Sequence, residues 1–301
     1  MNLALDTVRN WPIPVFVALF WSLAPVLGLG LAGRSIIRAI DRLPVPLRLL
    51  LACLCSVPYL IVALSFSSFR WQWCALYFVL PPLIALLLWR ASFKDSQQRG
   101  SWIDAIILLC LGLAVDLRWF EPAWPRSLTF VGKLVLVDAG LYGFLVIRQL
   151  SNVGFDLRIR WRDLLIGLRE TAFFAPIAIG LGLAIGFLKW HSALPRFSEI
   201  GFAWIYTFIF IAIPEELYFR GWIQNLLERR LGRLPSLLVT AAIFGLAHFN
   251  KRTMLFNAPY VLLAALAGIF YGRAWRQDHR VAASAITHAT TDAIWSLWFR
   301  H

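Results

Sequence analysis

Ionisable side chains interrupt three apolar segments near the carboxy terminus of the chain. Glu215 lies in IAIPEELYFRGW, His248 in AAIFGLAHFN, and His288 and Asp292 in SAITHATTDAIW. Within a membrane span such groups are costly unless they face a cavity or one another, so each of them indicates a functional site. Because His288 and Asp292 are four residues apart, they share one helical face.

Carboxyl and imidazole groups in one pocket removed from water are typical of acid–base hydrolysis. Glu215 would take a proton from water and later return it. His248 would orient or share that proton, and His288 would donate hydrogen bonds to the oxyanion of a tetrahedral intermediate. We therefore expect three successive spans to build one pocket that activates water.

The neighbouring Glu216 is expected to have a different role from Glu215. Consecutive helical side chains point about 100° apart, so the two carboxylates cannot easily do the same work. Glu216 and Arg220 are four residues apart with the acid first, which is the favourable order for a helical ion pair. We predict that Glu216–Arg220 is structural and that Glu215 is the reactive carboxylate.

The composition indicates that membrane helices hold these groups. The chain is 60% hydrophobic and 15% charged, with a mean hydropathy of +0.70, whereas soluble domains are about 45–50% apolar and about 25% charged. The net charge is +13, but Lys and Arg fall in short clusters between apolar runs, as in loops that face anionic headgroups. A nucleic-acid binder carries its cations as one stripe on a soluble fold. The lipid bilayer, and no nucleic acid, is the expected partner.

A membrane crossing takes about 20 helical residues, and about ten stretches approach that length. They predict an all-α, polytopic helical bundle with about five spans in residues 1–155 and every chemical motif in 156–301. Residues 156–170 alternate Arg with apolar side chains, which is typical of an interfacial amphipathic helix or of a basic loop. The predicted spans are 11–33, 49–69, 71–89, 102–118, 128–147, 171–189, 200–227, 235–250, 258–272 and 281–299.

Three motifs on successive apolar segments carry a family resemblance. They are E-E-x-x-x-R at Glu215 to Arg220, F-x-x-x-H at Phe244 to His248, and H-x-x-x-N/D at His288 to Asp292. In this order they resemble the signature of the CAAX-protease and bacteriocin-processing (CPBP) family of intramembrane endopeptidases, which includes the type II prenyl-protein proteases. The resemblance covers about residues 160–301.

The resemblance implies hydrolysis of a peptide bond in a membrane-associated protein or peptide. It assigns activation of water to Glu215 and His248, and support of the oxyanion to His288 and Asp292. Glu216, Arg220 and Phe244 would support the site. Family members have been described both as metalloproteases and as metal-free, glutamic-type enzymes.

We favour the metal-free alternative, with no cofactor. The H-E-x-x-H helix that would indicate zinc strongly is missing from the sequence. In a metal-dependent enzyme, Zn²⁺ would be held by Glu215, His248, His288 and Asp292.

Asp292 departs from the family pattern, because the prenyl-protease branch typically has Asn at this position. An ionised Asp cannot donate a hydrogen bond to an oxyanion. Asp292 is therefore protonated, or accepts a hydrogen bond from His288, or binds a metal.

Two other classes of function fit parts of the sequence. Asp104, Asp116, Lys133 and Asp138 lie in or near predicted spans, and Lys133 with Asp138 could form a proton or ion relay of a transporter. A non-catalytic immunity or scaffold relative is the second alternative, although all the proposed catalytic positions are occupied. A multi-pass protein of a bacterial inner membrane is expected, and no oligomeric state is predicted.

The distribution of Lys and Arg predicts the orientation of the chain. Lys and Arg are about twice as numerous in the connections after the first, third, fifth, seventh and ninth predicted spans as in the remaining connections. Because Lys and Arg are retained on the cytoplasmic side, the odd-numbered connections are expected in the cytoplasm. Both termini should then lie outside the cytoplasm. A carboxy-terminal reporter that is active only outside the cytoplasm should be active in this protein; a cytoplasmic carboxy terminus would contradict the topology.

Overall fold

The computed structural model describes residues 11–190, 195–251 and 256–300. These residues are predominantly helical, with one antiparallel pair of two-residue strands. The predicted all-α class is confirmed. The chain forms two compact units, Met1–Leu150 and Ser151–His301.

Within residues 11–150, the amino-terminal unit contains six α-helices, and short 3₁₀ turns lie between some of them. A capping box at Ser101 begins the fifth of them, because its side chain accepts a hydrogen bond from the amide of Asp104. The sixth continues into a π-helical segment, Tyr142–Ile147. The helices are α1 (Ile13–Asp41), α2 (Val45–Leu51), α3 (Val57–Ser65), α4 (Trp71–Lys94), α5 (Trp102–Asp116) and α6 (Thr129–Leu141).

A buried arginine joins three parts of this unit. Arg148 Nη2 lies 2.7 Å from Asp95 Oδ2, and its Nε lies 3.2 Å from Asp104 Oδ1. Arg148 and Asp104 are both buried. A buried charge is tolerated only when it is paired and hydrogen-bonded, so this network fixes the end of α4, the start of α5 and the end of the π-helical segment Tyr142–Ile147 to one another.

Lys133 does not pair with Asp138 in the described part of the unit. Its Nζ lies 3.4 Å from Glu121 Oε1, while Asp138 is buried. The proton or ion relay considered for a transporter therefore lacks the Lys133–Asp138 ion pair.

The described residues of the carboxy-terminal unit form seven α-helices and the strand pair. A long helical run extends from Phe197 to Leu231, and two of its stretches, Phe208–Ala212 and Leu217–Gln224, are π-helical. The elements are α7 (Trp161–Ala184), β1 (Lys189–Trp190), α8 (Phe197–Thr207), α9 (Ile213–Glu216), α10 (Asn225–Leu231), α11 (Arg233–Leu246), α12 (Ala258–Asp278), α13 (Val281–Trp298) and β2 (Phe299–Arg300).

Six described helical runs are long and apolar enough to cross a membrane by length and composition. The predicted count of about ten is not confirmed. Helix α5 has 15 residues and α11 has 14, which is short for a bilayer core of about 30 Å. The six runs are Ile13–Asp41, Val45–Ser65, Trp71–Lys94, Arg126–Ile147, Trp161–Ala184 and Phe197–Leu231.

Residues 156–170 do not form a separate interfacial helix, so this prediction is wrong. Helix α7 begins at Trp161 and runs without interruption to Ala184. Asp163 caps its first turn by accepting a hydrogen bond from the Arg160 amide at 2.8 Å. Asp163, Ile166 and Glu170 are buried. Tertiary packing therefore makes residues 161–170 the first part of α7.

Arg280 fixes the loop before α7 to the start of α13. Its Nε donates to Asp163 Oδ1 at 2.7 Å, its Nη1 to Asp156 Oδ2 at 3.2 Å, and its Nη2 to the Arg158 carbonyl at 2.9 Å. The side chain of Arg280 is only 6% exposed. A bidentate guanidinium in this setting gives both geometry and binding strength.

Gly154 provides a test of this packing. Its φ is +73°, and a Cβ at this position would collide with the carbonyl of His279. Gly186 has a φ of +68° with nothing within 4 Å of its Cβ position. Both Gly→Ala changes impose left-handed strain of about 1–2 kcal/mol, and Gly154→Ala should lose about 1–3 kcal/mol more from the clash. Equal losses in thermal unfolding of the two variants in detergent would contradict this packing.

Candidate active site

Glu215 and Glu216 lie in a short α-helical turn between two π-helical segments. Pro214 precedes them, and because it has no amide hydrogen, the regular i→i−4 ladder cannot continue through it. Wider π turns accommodate such interruptions and are frequent at functional sites. Consecutive helical side chains point about 100° apart, and here the Glu216 side chain is fully buried, while that of Glu215 is 31% exposed.

Glu216 is the centre of a buried polar network. Its Oε1 accepts a hydrogen bond from Arg220 Nη1 at 3.1 Å and lies 2.8 Å from His288 Nδ1. Its Oε2 accepts a hydrogen bond from the Ser284 hydroxyl. Both carboxylate oxygens are therefore satisfied inside the protein.

Arg220 completes the ion pair that its spacing from Glu216 predicted. Its side chain has no exposed surface, and its Nη2 donates to the Gly268 carbonyl at 3.0 Å. The guanidinium lies 4.6 Å from the centroid of the Phe244 ring and 5.5 Å from that of Tyr271, distances at which cation–π attraction operates. Phe244 thus supports the site from α11.

His288 is oriented by two contacts. Its Nδ1 faces Glu216, and because a carboxylate accepts, Nδ1 carries the hydrogen. Its ring stacks on Tyr271 with the centroids 4.7 Å apart and the planes 18° apart. These contacts direct Nε2 to the opposite side, where Asp292 Oδ2 lies 3.5 Å away and Glu215 Oε2 lies 4.0 Å away.

Glu215 differs from Glu216 in having few partners. Its Oε2 atom is buried and makes no hydrogen bond with any residue that the structure describes. The side chain of Asp292, on the same side of His288, is 30% exposed. Two partly exposed carboxylates therefore face Nε2 of His288, whereas a fully buried one holds Nδ1.

His248 lies just beyond the end of α11 and not deep within a span. The prediction placed it in a helix over 235–250, but α11 ends at Leu246 and residues 247–250 form turns, where the chain becomes polar. His248 Nδ1 lies 2.8 Å from the Phe244 carbonyl, and its ring packs on Tyr260 at 5.0 Å between centroids. No hydrogen bond or ion pair joins it to Glu215 in the described residues. Burial lowers the pKa of His248, and the negative charge of Glu215 opposes this effect.

Residues 197–294 match the family model described as type II CAAX prenyl endopeptidase Rce1-like. This segment is Rce1-like. It is about a third of the chain, extends from the start of α8 into α13, and contains the whole network around Glu216. The match supports a peptide hydrolase, and with the six apolar helical runs it indicates an integral membrane protein.

The Rce1-like match begins later than the resemblance did, since residues 160–196 lie outside it. No curated protein and no solved structure matches the chain.

Two neighbours of the Rce1-like site were missed in the sequence. Ser284 donates to Glu216 and to the Tyr271 carbonyl, the latter at 3.0 Å. It lies four residues before His288, so extending the H-x-x-x-D spacing back by one helical turn would have found it. The stacking of Tyr271 on His288 depends on how α12 packs on α13, and no local pattern indicates it.

The alternative zinc ligands come only partly together in the Rce1-like site, where Glu215 and Asp292 lie within 4.0 Å of His288. In the described ranges, no group of three or more His, Cys, Asp or Glu side chains is arranged to hold a metal ion. His288 Nδ1 is committed to Glu216, and His248 Nδ1 to the Phe244 carbonyl. A histidine that ligates a metal through Nε2 commonly donates its Nδ1 hydrogen in this way, so these contacts leave the alternative zinc site open.

The network predicts a large cost for removing Arg220. Arg220→Ala leaves Glu216 buried without its cation and should destabilise the protein by about 3–5 kcal/mol. Arg162, which is 70% exposed and 2.8 Å from Asp278, is the matched control, and its change to Ala should cost about 1 kcal/mol or less. Thermal unfolding in detergent measures both. Similar losses for the two variants would contradict the central position of Arg220.

Proposed function

We propose that the carboxy-terminal unit is a glutamic-type intramembrane endopeptidase that hydrolyses a peptide bond of a membrane-associated protein or peptide. One observation carries the proposal. Of two adjacent carboxylates, Glu216 is buried with its oxygens satisfied, and Glu215 has an oxygen without a hydrogen-bond partner in the described residues. Glu215 is thus available for proton transfer.

Glu215 acts as the general base. The 4.0 Å between its Oε2 and His288 Nε2 is too long for a hydrogen bond, and the 31% exposure of its side chain leaves Glu215 open to a water. Glu215 removes a proton from that water as its oxygen bonds to the carbonyl carbon of the scissile peptide. The carbonyl π bond breaks, and its oxygen becomes the oxyanion of a tetrahedral intermediate.

His288 and Asp292 support that intermediate. Glu216 and Tyr271 hold the ring with Nε2 towards the reacting atoms. As an imidazolium, with a hydrogen on both nitrogens, His288 donates its Nε2 hydrogen to the oxyanion. Of the three roles open to Asp292, its distance of 3.5 Å from Nε2 favours acceptance from His288. When the intermediate collapses, the C–N bond breaks and Glu215 returns its proton to the leaving amine.

His248 helps Glu215 to position the attacking water. Its Nδ1 donates to the Phe244 carbonyl, which leaves Nε2 as the acceptor in the neutral ring. An acceptor near Glu215 orders the second hydrogen of the attacking water without competing for the first. The preference for Arg over Lys along the chain and its compact size favour a bacterial inner membrane as the location.

The catalytic roles predict loss of activity without loss of fold. Glu215→Gln and His248→Ala should each reduce cleavage of a reconstituted membrane-peptide library by at least about 10²-fold, the contribution of general acid–base catalysis. Neither change disturbs the Glu216 network, so thermal unfolding should be close to that of the wild type.

Two control variants make the same kinds of substitution away from the site. Glu121→Gln changes an acid that pairs with Lys133 in the amino-terminal unit. His279→Asn changes a histidine whose φ is +49°, a conformation that Asn tolerates. Both controls should cleave normally. Turnover retained by Glu215→Gln or His248→Ala would overturn the assigned roles.

A further inference from the structure

Helices α11 and α12 bring three arginines together at one end of the carboxy-terminal unit. The two helices pack antiparallel through small residues, so that four residues forward on α12 correspond to four residues back on α11. Moving four residues beyond Gly272 on α12 and four residues before Leu237 on α11 brings Arg276 opposite Arg233. Arg273 lies about one turn before Arg276. The contacts that set this register pair Gly268 with Ala241 and Gly272 with Leu237.

The acids near this arginine cluster (Arg233, Arg273 and Arg276) are shared with other cations. Arg273 Nε lies 3.1 Å from Glu170 Oε2, but Glu170 also pairs with Arg169 at 2.8 Å. Arg233 Nε lies 3.7 Å from Glu228 Oε1, and the same oxygen lies 3.9 Å from His279. The acids therefore do not balance the positive charge of the cluster.

Arg276 itself has neither an ion pair nor a hydrogen bond within the described part of the chain, and its Nε atom is buried. Burial lowers the pKa of Arg276; Glu228 opposes this effect, and the neighbouring charges of Arg233 and Arg273 add to it. A guanidinium is always charged in proteins and has five donors that match phosphate oxygens. An anion placed among the three arginines would complete this cluster.

The surface beside the cluster is apolar. On α11, Leu234 is 62% exposed and Leu238 49%, and these two residues are one turn apart on the same face of the helix. This stripe begins at the residue next to Arg233 and runs away from the cluster. It provides a surface for a hydrocarbon chain, which a free phosphate ion would not use.

We infer that the arginine cluster binds the phosphate of an anionic phospholipid headgroup, with the acyl chains lying along the exposed face of α11. Arg276 supplies the donors that have no protein partner, and Arg233 and Arg273 supply further positive charge. Arginine–phosphate hydrogen bonds are charge-assisted, and basic residues at the membrane surface attract anionic lipids.

Native mass spectrometry of the purified full chain in neutral detergent tests this site. The probes are palmitoyl-oleoyl phosphatidylglycerol, palmitoyl-oleoyl phosphatidylcholine and sodium phosphate. The first phosphatidylglycerol should bind at least about tenfold more tightly than phosphatidylcholine, and phosphate at equal concentration should not displace it. Arg276→Gln and Arg233→Gln should each weaken it about tenfold, the loss expected for one charge-assisted contact.

Arg90→Gln is the control for net charge, because it removes an exposed arginine of the amino-terminal unit and should leave phosphatidylglycerol binding unchanged. If Arg276→Gln does not fold, Arg233→Gln decides the outcome, since the Arg233 side chain is 67% exposed. The proposed site would be overturned if neither Arg276→Gln nor Arg233→Gln weakened phosphatidylglycerol binding, or if Arg90→Gln weakened it equally. Displacement by phosphate would assign it to a soluble anion instead of a lipid. Peptide cleavage is not read in this experiment, so its result is independent of the proposed catalytic roles.

Discussion

A carboxylate buried completely inside a helical membrane unit must have its charge balanced there. Glu216 has no exposed surface, and the cost of burying an ion without partners reaches several kcal/mol, on the order of the whole stability of a domain. Arg220 meets this requirement from the π-helical segment Leu217–Gln224, and Ser284 and His288 meet it from α13. Because these partners lie on different helices, the charge of Glu216 fixes the position of α13 relative to the π-helical segments.

The same constraint explains how neighbouring glutamates acquire different chemistry. Consecutive residues of a helix point about 100° apart, and Glu216 is the one that faces Arg220, Ser284 and His288. Glu215 faces the more open side, where His288 Nε2 and Asp292 lie. His288 connects the two halves of the site, since one nitrogen is held by Glu216 and the other faces Glu215, the carboxylate that we propose as the general base. A residue with a structural contact on one atom and a chemical role on the other is well positioned for catalysis, because its orientation does not depend on substrate.

Local spacing was sufficient for part of this arrangement. The i, i+4 relation predicted the Glu216–Arg220 pair and the shared face of His288 and Asp292, because a helix converts spacing directly into contact. It failed where tertiary packing decides. The sequence pattern of residues 156–170 indicated a surface helix, but burial of Asp163 and Glu170 draws that segment into α7. The end of α11 before His248, and the approach of Arg276 to Arg233, depend on which helices pack together and in what register.

The central claim is that Glu215 activates water without a metal ion. Its most direct test is cleavage of a membrane-peptide library by the purified wild-type protein in excess chelator, with metal content measured on the same sample. The account predicts undiminished cleavage by protein that contains no stoichiometric metal. Stoichiometric zinc together with cleavage that stops in chelator and returns when zinc is added would contradict it.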